Sequence, residues 1–335
     1  NWEEATFHVV ALLQNFLTTN TEFLKMRLLT IGAGYKGAKI AELLHKEGVK
    51  VNKVPLFKCF AVLNDIGNLK NIALTNNRKF YIYGLRGDVG GILNEMLSIP
   101  ELIEGSLVIT SLEDDFGYFT SLELCKKLKG VIEDVVIALG IVPQLDTSSI
   151  GEIKKRIRSM RENSDVLILF EDKEGVENNI LDVFNFISLA GEIDLKKKVA
   201  GEVVIDTSDI FNALRCDGFT VVGYSVRKIP FSIRKFIFRK NSELKAVKTK
   251  RMIDLTNEAL NNLSINGDIE DAKSALLLFT GDPDEMTMEG LFSSISILES
   301  INRDIVIRYG DYPLPKSRTI ATVILFSGIK KFKFS

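Results

Sequence analysis

Between Met26 and Phe170 the chain alternates short apolar runs with amphipathic stretches of helical length, and that alternation leaves few folds open. Runs at 27–32, 58–63, 79–83, 106–111, 134–140 and 165–170 have strand length, and helical periodicity fills 36–47, 89–98, 120–129 and 150–162. The pattern predicts an α/β domain: a parallel sheet with helices on both faces and ligands at the carboxyl ends of its strands. A helical stretch at 177–190 then leads into a different pattern. Strands at about 219–226, 275–280, 304–309 and 319–328 surround helices near 252–263 and 286–301, as in a smaller α+β domain with a mixed sheet. A chain of 335 residues can bury two such cores.

The first strand ends in a literal G-x-G-x-x-G, at Gly32, Gly34 and Gly37, followed by an amphipathic helix. Such a turn lets backbone N–H groups and a helix N-terminus face a phosphate, so it points to a nucleotide without saying which. An ordinary tight turn is the alternative. A dinucleotide site would place an acid about 20 residues beyond the glycines. The segment Val49-Lys50-Val51-Asn52-Lys53 offers Asn52 and Lys53 instead, which argues against a dehydrogenase.

Composition removes other classes. The net charge of −1 gives no global field toward nucleic acid, and none is expected as a partner. Cys59, Cys125 and Cys216 form no C-x-x-C, which fits a reducing cytoplasm and excludes a cysteine zinc site; no metal site is expected. The two histidines, His8 and His45, are too few for a histidine metal centre or a Ser-His-Asp triad, and His45 reads as a surface residue of the first helix. No apolar run reaches 18 residues, so no membrane span is expected.

Five motifs in order, from about Met26 to Ile329, resemble the tubulin/FtsZ superfamily. They are Gly32-Ala33-Gly34-Tyr35-Lys36-Gly37-Ala38-Lys39, Phe60-Ala61-Val62-Leu63-Asn64-Asp65, Gly84-Leu85-Arg86-Gly87-Asp88-Val89-Gly90-Gly91, Val204-Ile205-Asp206-Thr207-Ser208-Asp209-Ile210, and Leu278-Phe279-Thr280-Gly281-Asp282-Pro283-Asp284-Glu285-Met286-Thr287. The first is most like the archaeal CetZ branch. The resemblance implies a Rossmann-like GTPase domain joined by a long core helix to a smaller α+β domain. It implies GTP or GDP with Mg²⁺, and head-to-tail filaments, alone or with homologues, in cell division, shape or membrane remodelling. The site residues it implies are Gly32, Ala33, Gly34, Tyr35, Gly37, Asn64, Gly84, Gly87, Gly90, Thr110, Gly117 and Thr120 at the nucleotide, with Glu171, Asn178 and Asn179 near the base. Asp206 and Asp209 stand where one subunit completes the hydrolytic site of the next; the same D-x-x-D also reads as a helix N-cap with its partner. The implied boundaries are an N-terminal extension at 1–25, a nucleotide-binding domain at 26–176, a core helix and connector at 177–202, a C-terminal domain at 203–329 and a basic tail at 330–335.

Departures from the pattern matter as much. After the strand ending at Thr110 the superfamily carries a G-G-G-T-G-[ST]-G loop; this chain has Ser111-Leu112-Glu113-Asp114-Asp115-Phe116-Gly117-Tyr118-Phe119-Thr120-Ser121, with one glycine. A carboxylate 5 Å from a phosphate charge, at an effective dielectric near 20, costs roughly 3 kcal/mol. Two such contacts would weaken binding on the order of ten-thousand-fold. Mg²⁺ bridging carboxylate and phosphate would reverse the sign. Alternatively Glu113, Asp114 and Asp115 cap the next helix and face water, and the chain is a non-hydrolysing scaffold or regulator of homologues. Finally, Arg227–Arg251 holds ten Lys or Arg against one acid, Glu243. It reads as a hairpin arm packed on its own domain, as a peripheral contact with anionic membrane, or as a lateral filament contact.

Overall fold

The computed structural model describes residues 27–51, 53–85, 89–98, 103–132, 134–144, 150–190, 207–229, 241–314 and 316–332. The N-terminal extension 1–25, Gly87, Asp206, the basic run 230–240 and the last three residues lie outside them. The chain forms two compact units, one of Lys25–Asn185 with Gly218–Thr220, the other including Phe186–Asp217 and Val221–Ser335.

The first unit is a parallel sheet. Its strands are β1 (Leu28–Ala33), β4 (Phe57–Leu63), β5 (Lys79–Tyr81), β6 (Gly105–Ser111), β7 (Val135–Val142) and β8 (Val166–Glu171), with a separate small hairpin of β2 (Lys50–Val51) and β3 (Val54–Pro55). Every residue of β1, β4, β6 and β7 is buried, which explains why these strands read as continuous apolar runs rather than as alternation. The spatial order is β8-β7-β6-β1-β4-β5, all parallel, with Thr220 pairing beside Ile168 at the outer edge of β8. In sequence terms the sheet runs 6-5-4-1-2-3, so its direction of growth reverses between β1 and β6. Gly32 registers with Ala61 on one side and Ile109 on the other. The crevice beyond the carboxyl ends of β1 and β6 is where such sheets take ligands.

Helices α1 (Gly34–Glu47), α2 (Ile66–Lys70), α3 (Val89–Leu97), α4 (Asp115–Val131), α5 (Ile150–Asn163) and α6 (Val176–Ala190) follow these strands. Helix α1 buries Ile40, Ala41 and Leu44 and ends at Gly48, whose N–H donates to the Leu44 carbonyl at 2.9 Å. The expected strand at Val49–Lys53 is no part of the parallel sheet; β2 pairs only with β3. Helix α4 starts at Asp115 rather than 120, so the expected 111–121 loop is a strand end, a three-residue turn and two helical turns.

The second unit carries the mixed sheet. Strand β10 (Ser274–Gly281) pairs in parallel with β11 (Val306–Pro313) and antiparallel with β12 (Thr319–Ile329), and the Val221–Lys228 part of β9 (Phe219–Lys228) lies beyond β12. Helix α7 (Thr207–Leu214) buries Ile210, Ala213 and Leu214 against this sheet. Helices α8 (Asn241–Asn261) and α9 (Met288–Ile301) are joined by the Thr256 hydroxyl donating to Ser294 Oγ at 2.8 Å. Helix α8 begins eleven residues before the expected 252, so the second half of the basic arm is helical. Among the described residues no helix is long and apolar enough to cross a membrane.

Candidate functional site

The glycines after β1 divide into two roles. A Cβ on Gly32 would overlap the Gly37 carbonyl oxygen, and one on Gly37 would overlap the Ile109 carbonyl. These two residues let α1 lie directly on β1 and β6, which is packing. Gly34 differs. It sits at φ +74°, and a Cβ there would overlap Asp114 Oδ2 and approach Gly117 Cα to 3.1 Å. A Cβ on Gly117, in turn, would lie 2.6 Å from Thr110 Oγ1, 2.8 Å from the Ala33 carbonyl oxygen and 3.0 Å from Asp114 Oδ2. Ala33, Gly34, Thr110, Asp114 and Gly117 therefore meet at one spot, at the switch point between β1 and β6.

That spot suits an anion. Ala33 is the N-cap of α1 and brings no side-chain acceptor; Asp114 is the N-cap of α4 and makes no side-chain capping hydrogen bond. The first turns of both helices thus meet, with Gly34 against Gly117 and the Asp114 carboxylate beside them. The Asp114 carboxylate already occupies the spot, with Oδ2 nearer Gly34 than Gly117. Its neighbours do face outward: Glu113 and Asp115 are exposed, and Asp115 accepts from Arg156. Arg156 also donates to the Leu112 carbonyl at 3.0 Å, pairs with Glu152 and stacks over Tyr118 at 4.9 Å, which fixes the turn before α4 to α5. Burial works against the Arg156 charge, yet the bonds and fields of Asp115 and Glu152 hold its pKa above the ordinary value.

The remaining candidates lie around this centre. Thr120 is buried in the second turn of α4. Tyr35 is exposed in the first turn of α1, with Lys39 Nζ 5.9 Å from its ring centre. Lys36, on the next position, pairs with Asp172 and lies 3.9 Å from Glu177, tying α1 to the turn between β8 and α6. Glu171 and Asn179 are half-buried at that turn and Asn178 is exposed. Asn64 and Gly84 lie exposed beyond β4 and β5, one and two strands away, and Gly90 starts α3. No contact joins Asn64 or Gly84 to Gly34 or Gly117. Asp209 sits in the first turn of α7, in the second unit.

Other expectations are corrected. His45 is half-buried with Nδ1 unpartnered, and burial, with Arg78 and Lys50 nearby, lowers its pKa. The 280–287 motif is structural: the Asp282 carboxylate accepts from the N–H groups of Asp284 and Lys316, and Thr287 caps α9 by accepting from the Gly290 N–H at 3.0 Å. The described half of the basic arm is largely neutralised within its own unit. Lys245 pairs with Glu289, Arg251 with Glu285, and Lys248 donates to the Asp284 carbonyl. Among the described residues no His, Cys, Asp and Glu cluster could hold a metal ion by protein ligands alone.

A family profile described as "Tubulin-like CetZ, C-terminal domain" matches residues 171–333. The tubulin-like protein CetZ1 of Haloferax volcanii is 26% identical, over 91% of this chain and 88% of that protein. The chain has the fold of the tubulin/FtsZ superfamily. Among solved structures of the superfamily, GDP-bound monomeric CetZ1 of Haloferax volcanii superposes with a TM-score of 0.75 at 23% identity, over 92% of this chain and 96% of that one. CetZ2 of the same organism, as a GTPγS-bound protofilament, gives 0.70 at 20%, over 92% and 95%. Within this superfamily fold, the Lys36–Asp172 pair was not singled out by sequence. Lys36 and Asp172 are 136 residues apart and carry no motif linking them.

Proposed function

We propose that this chain is a tubulin-like cytoskeletal protein that binds GTP and GDP at the hollow between α1 and α4 and assembles head to tail into filaments. The observation that carries this reading is the approach of Gly34 and Gly117 at the switch point, with the starts of two helices at one spot. The nucleotide and protofilament of the CetZ1 and CetZ2 structures support it.

In this assignment Ala33, Gly34, Tyr35, Thr110, Gly117 and Thr120 surround the phosphates, while Gly32 and Gly37 keep α1 close enough to do so. Glu171, Asn178 and Asn179 stand on the base side, where a carboxylate accepts from a guanine N1–H and N2–H₂. Asn64, Gly84 and Gly90, and Gly87 outside the described residues, are assigned to the outer contacts of the nucleotide. Asp114 and the phosphates would hold Mg²⁺ between them, and the metal would offset the carboxylate charge. Asp206 and Asp209 of one subunit orient the attacking water at the γ-phosphate of the next. The protein works in the cytoplasm, and contact with a membrane surface is assigned to 230–240, because much of the rest of the basic arm is internally paired.

Calorimetric titration of the full chain with GTP, GDP and ATP in Mg²⁺ tests the assignment. One saturable site for both guanine nucleotides, with ATP weaker, is expected. No heat of binding from any of the three removes the nucleotide reading and leaves a scaffold of the same fold.

A further inference from the structure

The Asp114 side chain has a job left to it by elimination. The backbone carbonyl of Asp114 already accepts the capping bond from the Tyr118 N–H at 2.8 Å, and its carboxylate makes no side-chain cap. Its neighbour Asp115, not Asp114, takes Arg156. Instead Oδ2 lies where a side chain on Gly34 would begin, and 3.0 Å from where one on Gly117 would. On the nucleotide reading, phosphates come to these same two helix starts. A carboxylate there sits at the positive ends of α1 and α4 together, a favourable place for one negative charge and a poor one for two.

We propose that Asp114 is an internal competitor for the phosphate position: its carboxylate fills the hollow in the free protein and must swing toward solvent before a polyphosphate enters. The proposal rests on the nucleotide reading above and adds an affinity-setting residue to it. Rotation about the side chain suffices, because Asp114 is half-buried and its backbone bond to Tyr118 need not change. Once swung out, the carboxylate still lies near the bound phosphates, so the penalty persists in the complex. One such charge contact, at 5 Å and an effective dielectric near 20, corresponds to roughly a hundred-fold in affinity.

The test is titration of GDP, without Mg²⁺, into the full wild-type chain, Asp114→Asn and Glu113→Gln. Asparagine has the same shape, caps a helix as well as aspartate and carries no charge. The expected result is tightening on the order of a hundred-fold for Asp114→Asn and less than about threefold for Glu113→Gln, whose side chain is exposed. Asp114→Ser, also a good N-cap, repeats the test if the asparagine variant does not fold. Measurable wild-type binding with an unchanged or weaker neutral variant overturns the competitor role and leaves the site in place. No GDP binding by wild type or by either neutral variant, at any concentration reached, overturns both the site and the role.

Discussion

The two classes of glycine after β1 make a prediction that separates packing from ligand binding. In Gly32→Ala the new methyl group overlaps a backbone carbonyl, which no rotamer change can relieve. Overpacking of that kind costs about 3 kcal/mol, the upper part of its usual range. For a unit of roughly 160 residues each kcal/mol moves the midpoint by about 2–4 °C, so a fall of about 6–12 °C is expected. Gly34→Ala overlaps only a movable carboxylate end, its nearest backbone neighbour being Gly117 Cα at 3.1 Å, and its main cost is the left-handed backbone, about 1–2 kcal/mol, or about 2–8 °C. Nucleotide affinity should follow the opposite order: nearly kept in Gly32→Ala below its midpoint, and lost in Gly34→Ala, where the methyl fills the hollow. Thermal unfolding by circular dichroism and nucleotide titration, on both variants, read the two scales. A larger midpoint drop in Gly34→Ala, or equal affinity loss in both, would refute this division of roles.

Three further outcomes are expected. Cys59 and Cys125 are fully buried, and burial pushes both thiols up, that of Cys125 to about 12; Cys216 is half-exposed. A thiol reagent at pH 8 should therefore modify one cysteine of the folded chain, Cys216, by peptide mapping, and early labelling of Cys59 would contradict the packing of β4. His45 has its folded pKa below the ordinary value near 6.5, so the unfolded chain binds the extra proton first. Stability should fall as pH drops from about 6.5 through the lowered folded value, and His45→Gln should flatten that slope in urea titrations; an unchanged slope would clear His45 of the effect. Asp209→Ala should slow GTP turnover by at least about tenfold while leaving GTP affinity intact, and equal turnover would remove Asp209 from the hydrolytic role.

Most of the architecture was legible because buried parallel strands advertise themselves. The runs that became β1, β4, β6, β7 and β8 are apolar throughout, and each is followed by a helix-period segment. Helix starts were harder. The start of α4 is hidden by three consecutive acids and a glycine, which read as a loop but serve as its turn and first residues. The start of α8 is hidden by charge: Lys245, Lys248 and Arg251 read as a surface arm until Glu285, Glu289 and the Asp284 carbonyl are seen to meet them. At the site, the motif named the right turn but not the right division of labour. Only three dimensions distinguish a glycine that faces a carbonyl from one that faces a hollow, and only they bring Lys36 to Asp172 across 136 residues.

Guanine nucleotide where α1 meets α4 is proposed to drive head-to-tail assembly. High-speed sedimentation of the full chain, with GTP, with GDP and with neither, tests it most directly. A pellet that appears with GTP, shrinks with GDP and vanishes in Gly34→Ala is expected. The same pellet fraction in all three conditions, or an undiminished one in Gly34→Ala, would contradict it.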